Sequence, residues 1–200
     1  MKQRIRTILV IGIFALALFG GAMAGPFEDG KAAYQSGDYE TALRLWRPLA
    51  DQGNAEAQAG LGWMYFHGQG VARDYAQAVF WYRKAADQGH VVAQANLGLM
   101  HEHGQGVAQD YAEALKWLRR AAAKDSYVAQ YHLGQMYRAG FGVPQDNVHA
   151  FMWLSLSAGN DAGEILEARD DLARSMTAQQ MAEAQKLAQA CQLHNFKNCE

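Results

Sequence analysis

The stretch that decides the fold is residues 54–89, NAEAQAGLGWMYFHGQGVARDYAQAVFWYRKAADQG. Laid without a gap over residues 90–125 it has 20 identities in 36 positions, and residues 90–125 share 16 identities with residues 126–161. A fixed period over three consecutive copies is typical of a solenoid, in which each unit stacks on its neighbours. Each of the three stretches is therefore interpreted as one repeat.

Each copy contains two helical patterns separated by a glycine-rich turn. In the first copy Leu61 and Met64 belong to one apolar stripe at helical spacing, and Trp81 and Ala85 belong to another. Between them lies His-Gly-Gln-Gly-Val at 67–71, where glycine can close a helix in the left-handed conformation. We therefore predict an all-α, right-handed solenoid of stacked antiparallel helix pairs.

One glycine recurs inside the first helix of every copy. Each costs about 1 kcal/mol of helix stability relative to alanine, so its repetition indicates that the second helix approaches closely at that point. We expect the recurrent indoles of the second helices to fill this space as core residues. The alternative is a ladder of ligand-stacking rings, but each indole lies in the apolar stripe of its helix. The glycines are Gly62, Gly98 and Gly134, and the indoles are Trp81, Trp117 and Trp153.

The N-terminal segment has the pattern of an export signal. Residues 1–6 carry three cations, residues 8–19 are almost all apolar, and Ala22 and Ala24 form the small-x-small pattern of a cleavage site. The apolar stretch is shorter than the roughly 20 residues that span a bilayer, which favours cleavage over a retained anchor. We expect residues 1–24 to be a signal peptide, with the mature protein periplasmic or secreted and without a membrane span.

Divergent helices flank the three clear repeats. Residues 37–53 match the second half of the unit, and residues 27–36 are expected to supply a divergent first half, so residues 25–53 are predicted to form a divergent N-terminal helical repeat. Residues 162–200 are predicted to form capping helices, because a solenoid needs an element that buries the open face of its last unit. In an oxidising compartment Cys191 and Cys199 are expected to pair as a disulfide that pins this C-terminal cap.

Charge and motifs exclude several classes of function. The formal net charge of -2 becomes -5 when the three cations of residues 1–24 are removed, which disfavours nucleic-acid binding. His101, Glu102 and His103 are consecutive, so the two histidines point about 200° apart on a helix and cannot share one metal ion. No phosphate-loop or serine acyl-transfer motif is present. We predict no catalytic residue, no cofactor and no metal site.

The repeated pattern resembles the Sel1-like repeat, a relative of the tetratricopeptide repeat. The resemblance rests on Ala-x-x-x-Leu-Gly, Gly-x-Gly-Val and Asp-Tyr-x-x-Ala-x-x-Trp, and it is strong over residues 55–158 and weak over residues 27–53. Two departures fall in or just before the third copy, where Asp125 replaces the glycine at 89 and Asn147 replaces a tyrosine. The resemblance implies a non-catalytic adaptor, scaffold or regulator of the cell envelope that binds a protein or peptide in its concave groove.

Two other functions stay open. Some secreted proteins with this repeat are described as weak β-lactam binders or hydrolases, but they carry a cysteine pair in each repeat, and the repeats here contain none. A scaffold for envelope polysaccharide would use the same groove with exposed aromatic platforms.

The binding surface is predicted from positions that keep their register while the residue changes. On the first helices two such rows lie off the apolar stripe, and the aromatic pair at their N-terminal end is the strongest candidate anchor. The alternative is that these are ordinary solvent-facing or inter-repeat positions. The predicted partner-binding residues are Trp63, Leu99 and Gln135 in one row and Phe66, Glu102 and Arg138 in the other.

Overall fold

The structure is a computed structural model that describes residues 25–158, 163–194, 196 and 199. Over these residues the chain forms ten helices and no strand, which confirms the all-α prediction. The predicted signal peptide, residues 1–24, lies outside the described residues. The helices are α1 (Pro26–Gln35), α2 (Tyr39–Asp51), α3 (Ala55–His67), α4 (Tyr75–Asp87), α5 (Val91–His103), α6 (Tyr111–Ala122), α7 (Tyr127–Ala139), α8 (Asn147–Ser157), α9 (Gly163–Ala173) and α10 (Ala178–Leu193).

The helices stack as successive pairs. α1 packs on α2, α3 on α4, α5 on α6 and α7 on α8, and each second helix also contacts the first helix of the next pair. α9 and α10 both pack on α8, so they cover the open side of the last pair. Three clusters of buried side chains run along the stack, and each draws on more than one pair. The predicted solenoid of helix pairs with a helical cap is confirmed.

The ends of the helices follow from the repeated capping residues. Each second helix begins after an aspartate whose carboxylate accepts a hydrogen bond from the backbone one turn later. The first helices α3, α5 and α7 each end on a left-handed glycine, a conformation without a side-chain clash only for glycine. The caps are Asp38, Asp74, Asp110 and Asp146 at the starts, and Gly68, Gly104 and Gly140 at the ends.

The helical glycines do lie at close contacts, but the tryptophans are not their partners. Trp81 is buried, yet a Cβ added to Gly62 would lie 2.6 Å from the ring of the next residue, Tyr82. Consecutive helical residues point about 100° apart, so Trp81 instead belongs to a buried cluster that it shares with Trp46 and Ala50 of the preceding pair. The prediction that the indoles fill the space over the glycines is therefore wrong, although their assignment to the core is correct. In the same way, a Cβ added to Gly98 would lie 2.8 Å from the side chain of Leu118, and a Cβ added to Gly134 would lie 2.8 Å from that of Leu154.

In the first helix pair a glycine of α1 also lies against a side chain of α2, but its spacing along the sequence differs from that of the later pairs. A Cβ on Gly30 would lie 2.5 Å from the indole nitrogen of Trp46, the residue 36 positions before Tyr82. Gly30 lies only 32 positions before Gly62, because the turn between α1 and α2 is four residues shorter than the later turns. The shorter turn explains why the sequence period does not align α1 with the later first helices.

A buried glutamine in each first helix joins it to the preceding pair. Gln58 and Gln94 are 3% and 4% exposed, and their side-chain amides donate to the backbone carbonyls of Ala50 and Ala86. These carbonyls lie in the last turn of a second helix, where each also accepts the backbone N–H of the glycine that follows the helix, Gly53 or Gly89. The sequence analysis did not single out this residue. Its signal was a polar side chain repeated unchanged beside the apolar stripe, and a buried polar group needs a partner.

The third copy preserves this junction with different chemistry. Asp125, which replaces the glycine at 89, takes a left-handed backbone with φ 61°. Its carboxylate accepts a hydrogen bond at 3.1 Å from the amide of Gln130, the equivalent of Gln58 and Gln94. The departure from the repeat pattern is thus compensated by a side-chain partner.

The tail of the cap folds back onto α10. Cys191 and Cys199 form a disulfide, and the backbone N–H of Phe196 donates to the carbonyl of Cys191. Phe196 and Cys199 pack against the buried cluster that contains Cys191 and Met152 of α8. The bond therefore ties the last described residues to the cap.

We predict that Gly62→Ala destabilises the protein despite the higher helix propensity of alanine. The added Cβ would lie 2.6 Å from the rigid ring of Tyr82, and overpacking of this kind costs about 1–3 kcal/mol, against a gain of about 1 kcal/mol in propensity. Gly163→Ala is the matched control, because nothing lies within 4 Å of its Cβ position. Urea denaturation measures the free energy of unfolding of both variants. A Gly62→Ala protein with an unchanged or higher midpoint would show that the contact does not limit the helix spacing.

Candidate functional site

The first helices line a groove at the N-terminal end of the stack. A cleft of about 280 Å³ is bordered by Phe27 and Lys31 of α1, Trp63 of α3, and Val92 and Asn96 of α5. Trp63 and Val92 are large apolar residues that remain 40% and 57% exposed. The groove therefore presents apolar surface across three successive first helices.

Of the first predicted row, the structure places only Trp63 at this groove, and a role of the row in partner binding stays a prediction. Trp63 borders the cleft directly, and Leu99 and Gln135 occupy the equivalent positions on α5 and α7, where both are half-buried. Lys31 is the equivalent residue on α1 when the shorter first turn is taken into account. The row thus runs from a cation through an indole and a leucine to an amide.

The second predicted row is involved mainly in contacts between helices. The ring of Phe66 packs on Tyr75 at 5.2 Å, and Glu102 is only 8% exposed with its carboxylate 3.1 Å from Nδ1 of His132 on the next first helix. Arg138 is exposed. Glu102 therefore matches the alternative of an inter-repeat position, whereas Phe66 packs within its own helix pair, and a role of this row in partner binding stays a prediction.

An aromatic pocket that the sequence analysis missed opens beside Trp63. Tyr34, Trp46, Gly60 and Trp63 enclose a depression of about 290 Å³. Gly60 makes room for it, because a Cβ at that position would lie 2.8 Å from the ring of Trp46. A sequence signal existed, since the repeats have Asn96 and His132 where Gly60 stands. We call this depression the aromatic pocket.

The polar atoms of the aromatic pocket are already paired within the protein. The indole N–H of Trp63 donates to the hydroxyl of Tyr34 at 2.6 Å, and that hydroxyl donates to Oε1 of Gln69 at 2.6 Å. The indole N–H of Trp46 donates to the carbonyl of Phe27 at 3.1 Å. The surface that the pocket offers to a ligand is therefore apolar.

A histidine and a glutamate link α3 to α5 at the edge of the groove. Nδ1 of His90 accepts a hydrogen bond from the backbone N–H of Ala93 and so caps α5. The proton must then lie on Nε2, which donates to the carboxylate of Glu56 at 3.1 Å. Glu56 is therefore engaged within the protein, although its side chain is 64% exposed.

The three consecutive residues 101–103 point in different directions, as predicted. His101 is buried with Nε2 at 3.1 Å from the guanidinium of Arg83, Glu102 pairs with His132, and His103 is exposed. Burial, together with the nearby charge of Arg83, lowers the pKa of His101 below its ordinary value. In the described part of the chain no three His, Cys, Asp or Glu residues are grouped so that they could hold a metal ion.

Among the residues that the structure describes, no helix combines the length and the apolar character needed to cross a bilayer.

The stacked pairs define a helical-repeat fold with an exposed groove along its first helices. The Sel1 repeat model matches residues 14–54, 55–90, 91–126 and 128–161, and the chain belongs to the Sel1 repeat family. Proteins of this family are generally protein-interaction modules. The matches 55–90 and 91–126 are displaced by one residue from the copies 54–89 and 90–125, and the match 128–161 lies within the copy 126–161.

Solved structures support the same family. A Sel1 repeat protein from Oxalobacter formigenes is similar with a TM-score of 0.71 and 28% identity, over 86% of this chain and 72% of that one. The protein c5321, a protective antigen of uropathogenic Escherichia coli with an SLR fold, is similar with a TM-score of 0.59 and 28% identity. The match covers 86% of this chain but 46% of c5321, so this chain spans about half of that protein. Among curated proteins no significant match was found.

We predict that Trp63→Ala lowers the free energy of unfolding less than Phe66→Ala does, because Trp63 is the more exposed of the two rings. Trp63 is 40% exposed but contacts His67 and donates to Tyr34, so its truncation is expected to cost about 1–2 kcal/mol. Phe66 packs on Tyr75 and is more deeply buried, so its truncation is expected to cost about 3 kcal/mol, the lower end of the range for a buried ring. Urea denaturation of both proteins tests the order, and a larger loss for Trp63→Ala would contradict it.

We predict that His101→Tyr reduces the loss of stability in mild acid. The pKa of folded His101 lies below the unfolded value near 6.5, so the unfolded chain takes up the proton first, and stability falls as the pH drops below that value. Tyrosine stands at the equivalent positions 65 and 137, and Tyr137 accepts a hydrogen bond from Arg119 just as His101 does from Arg83. Urea midpoints at pH 7 and pH 5 measure the change. His67, whose pKa burial also lowers, contributes equally to both proteins. If the urea midpoint falls equally from pH 7 to pH 5 in the His101→Tyr protein and in the unchanged protein, His101 does not cause the loss of stability.

Proposed function

We propose that the chain is a non-catalytic adaptor, scaffold or regulator of the bacterial cell envelope that binds a protein or peptide partner in the groove of its first helices. The observation that carries the proposal is Trp63, an indole 40% exposed beside an apolar pocket, on the face where the repeats differ. Exposed aromatic side chains next to a depression are enriched among the anchors of protein interfaces.

The proposed location rests on two features. Residues 1–24 have the charge and hydrophobicity pattern of a cleaved export signal. The disulfide between Cys191 and Cys199 is of a kind that persists in oxidising compartments such as the periplasm. Together they support a periplasmic or secreted protein.

The chemistry of the groove favours a protein ligand over the two alternatives. The disulfide takes both cysteines of the chain into the cap, so the repeats lack the cysteine pairs that a likeness to β-lactam-binding repeat proteins would require. A polysaccharide needs hydrogen-bonding groups beside its aromatic platforms, and the polar atoms of the aromatic pocket are already paired.

Site-directed photo-crosslinking tests the groove. A photoreactive benzoylphenylalanine is placed at 63, 99 or 135 in the exported protein, and as a matched control at 80, because Phe80 is a 47% exposed ring on a second helix. We expect adducts to a partner protein from the three groove positions and none from position 80. Adducts from position 80 alone would place the binding surface on the second helices and refute the proposal.

A further inference from the structure

We infer that His90 is a proton-sensitive latch in the wall of the groove, and that its protonation in mild acid releases the first turn of α5 and weakens binding in the groove. The latch consists of His90 and its two hydrogen-bond partners, the backbone N–H of Ala93 and the carboxylate of Glu56. The effect on binding rests on the proposed function, whereas the release of α5 is a property of the free protein.

The two ring nitrogens of His90 have opposite roles in the latch. Nδ1 accepts a hydrogen bond from the backbone N–H of Ala93 at 3.1 Å, and Nε2 donates to the carboxylate of Glu56 at 3.1 Å. An imidazole that takes up a proton has two donors and no acceptor. Protonated His90 can therefore keep its contact with Glu56, but it loses the contact that caps α5.

A protonated ring is also unfavourable at the start of a helix. The free N–H groups of the first turn give this end of α5 a partial positive charge, so a cation beside them is repelled. The carboxylate of Glu56 on α3 attracts the same cation. Both effects move the ring away from the N–H of Ala93, and the first turn of α5 is left without its side-chain cap.

The other charged groups on the elements around His90 have both signs. Lys124 donates to the carbonyl of the residue before His90. A second lysine, on α1, borders the same cleft and has two carboxylates within one turn of it, and α4 ends on an aspartate. Because cations and carboxylates occur together on both sides, the loss of the acceptor, rather than repulsion from one neighbouring charge, determines the change at α5. These further groups are Lys31, Glu28, Asp29 and Asp87.

The other clear repeats have capping side chains that do not titrate. Asn54 caps α3 and Ser126 caps α7, each at the position equivalent to His90. The backbone angles are φ −64° and ψ 114° at Asn54, and φ −66° and ψ 115° at His90, so the shape of the junction does not require a histidine. Histidine is the side chain whose charge ordinarily changes in mild acid. Among α3, α5 and α7, only α5 therefore has a cap that a proton can remove.

The first turn of α5 forms part of the groove wall. His90 and Glu56 border the same cleft as Trp63, and so does Val92, which is 57% exposed. Without its cap this turn can fray, and a ligand then has to order it on binding, which costs affinity. Acid is therefore expected to weaken binding in the groove.

Nuclear magnetic resonance of the protein, expressed from the full-length chain, tests the latch between pH 7 and pH 5. The ring signals of His90 report which nitrogens carry protons, and the amide signal of Ala93 reports the cap. We expect a proton on Nε2 alone at pH 7, and an Ala93 amide that shifts with the same midpoint as the ring. A proton on Nδ1 at pH 7, a ring that stays neutral to pH 5, or an Ala93 amide that does not follow the ring would overturn the inference.

Two histidine-to-asparagine variants provide the matched control. His90→Asn introduces the residue that caps α3 and is expected to remove the pH response of the Ala93 amide. His132→Asn introduces the residue found at the equivalent position 96 and leaves the latch intact, so the response should persist. A response that persists in His90→Asn would belong to another histidine and would refute the latch. If His90→Asn perturbs the fold, the titration of the unchanged protein decides.

Photo-crosslinking from position 63 at pH 7 and pH 5 tests the effect on binding. With His90 present we expect the yield of adduct to fall severalfold in acid, and with His90→Asn to change by less than twofold. Equal yields at both pH values with His90 present would refute the regulation of binding. If no adduct forms at either pH while the Ala93 amide follows His90, the proposed function fails and the latch stands.

Discussion

The solenoid depends on one contact that is repeated in every helix pair, the approach of the second helix to a glycine of the first. At Gly30 and Gly62 the facing side chain is a large ring, Trp46 or Tyr82, and at the next two pairs it is a leucine. A Cβ at any of these glycines would come within 3 Å of its neighbour, so glycine fixes the spacing of the helices. Once the spacing within a pair is fixed, the tryptophans and buried glutamines of the frame meet the neighbouring pair in register.

The other face of the first helices takes no part in these contacts, so its residues can differ between the repeats. The frame uses one side of each first helix, and the groove uses the other. At the N-terminal end the groove has exposed apolar surface around Trp63, whereas further along Glu102 is paired with His132 and Gln135 donates to Tyr131. Exposed aromatic surface is present again on α7, where Tyr127 is 45% exposed.

Much of the fold could be predicted because it is periodic. The period located the helices, the aspartate and glycine caps, and the buried indoles, since each of these depends on local spacing. The partner of each helical glycine could not be predicted, because two neighbouring residues such as Trp81 and Tyr82 share the same period and differ only in direction. The aromatic pocket was missed for a related reason. It joins α1 to α3, and the shorter first turn hides the equivalence of those two helices.

The central claim is that the groove of the first helices is the binding surface and the second helices are its support. Hydrogen–deuterium exchange of the protein, free and in complex with a partner isolated by crosslinking at position 63, tests this claim most directly. The account predicts added protection in α1, α3 and α5 and little change on the exposed face of α4 and α6. Protection confined to the second helices or to the cap, with α3 and α5 unchanged, would contradict it.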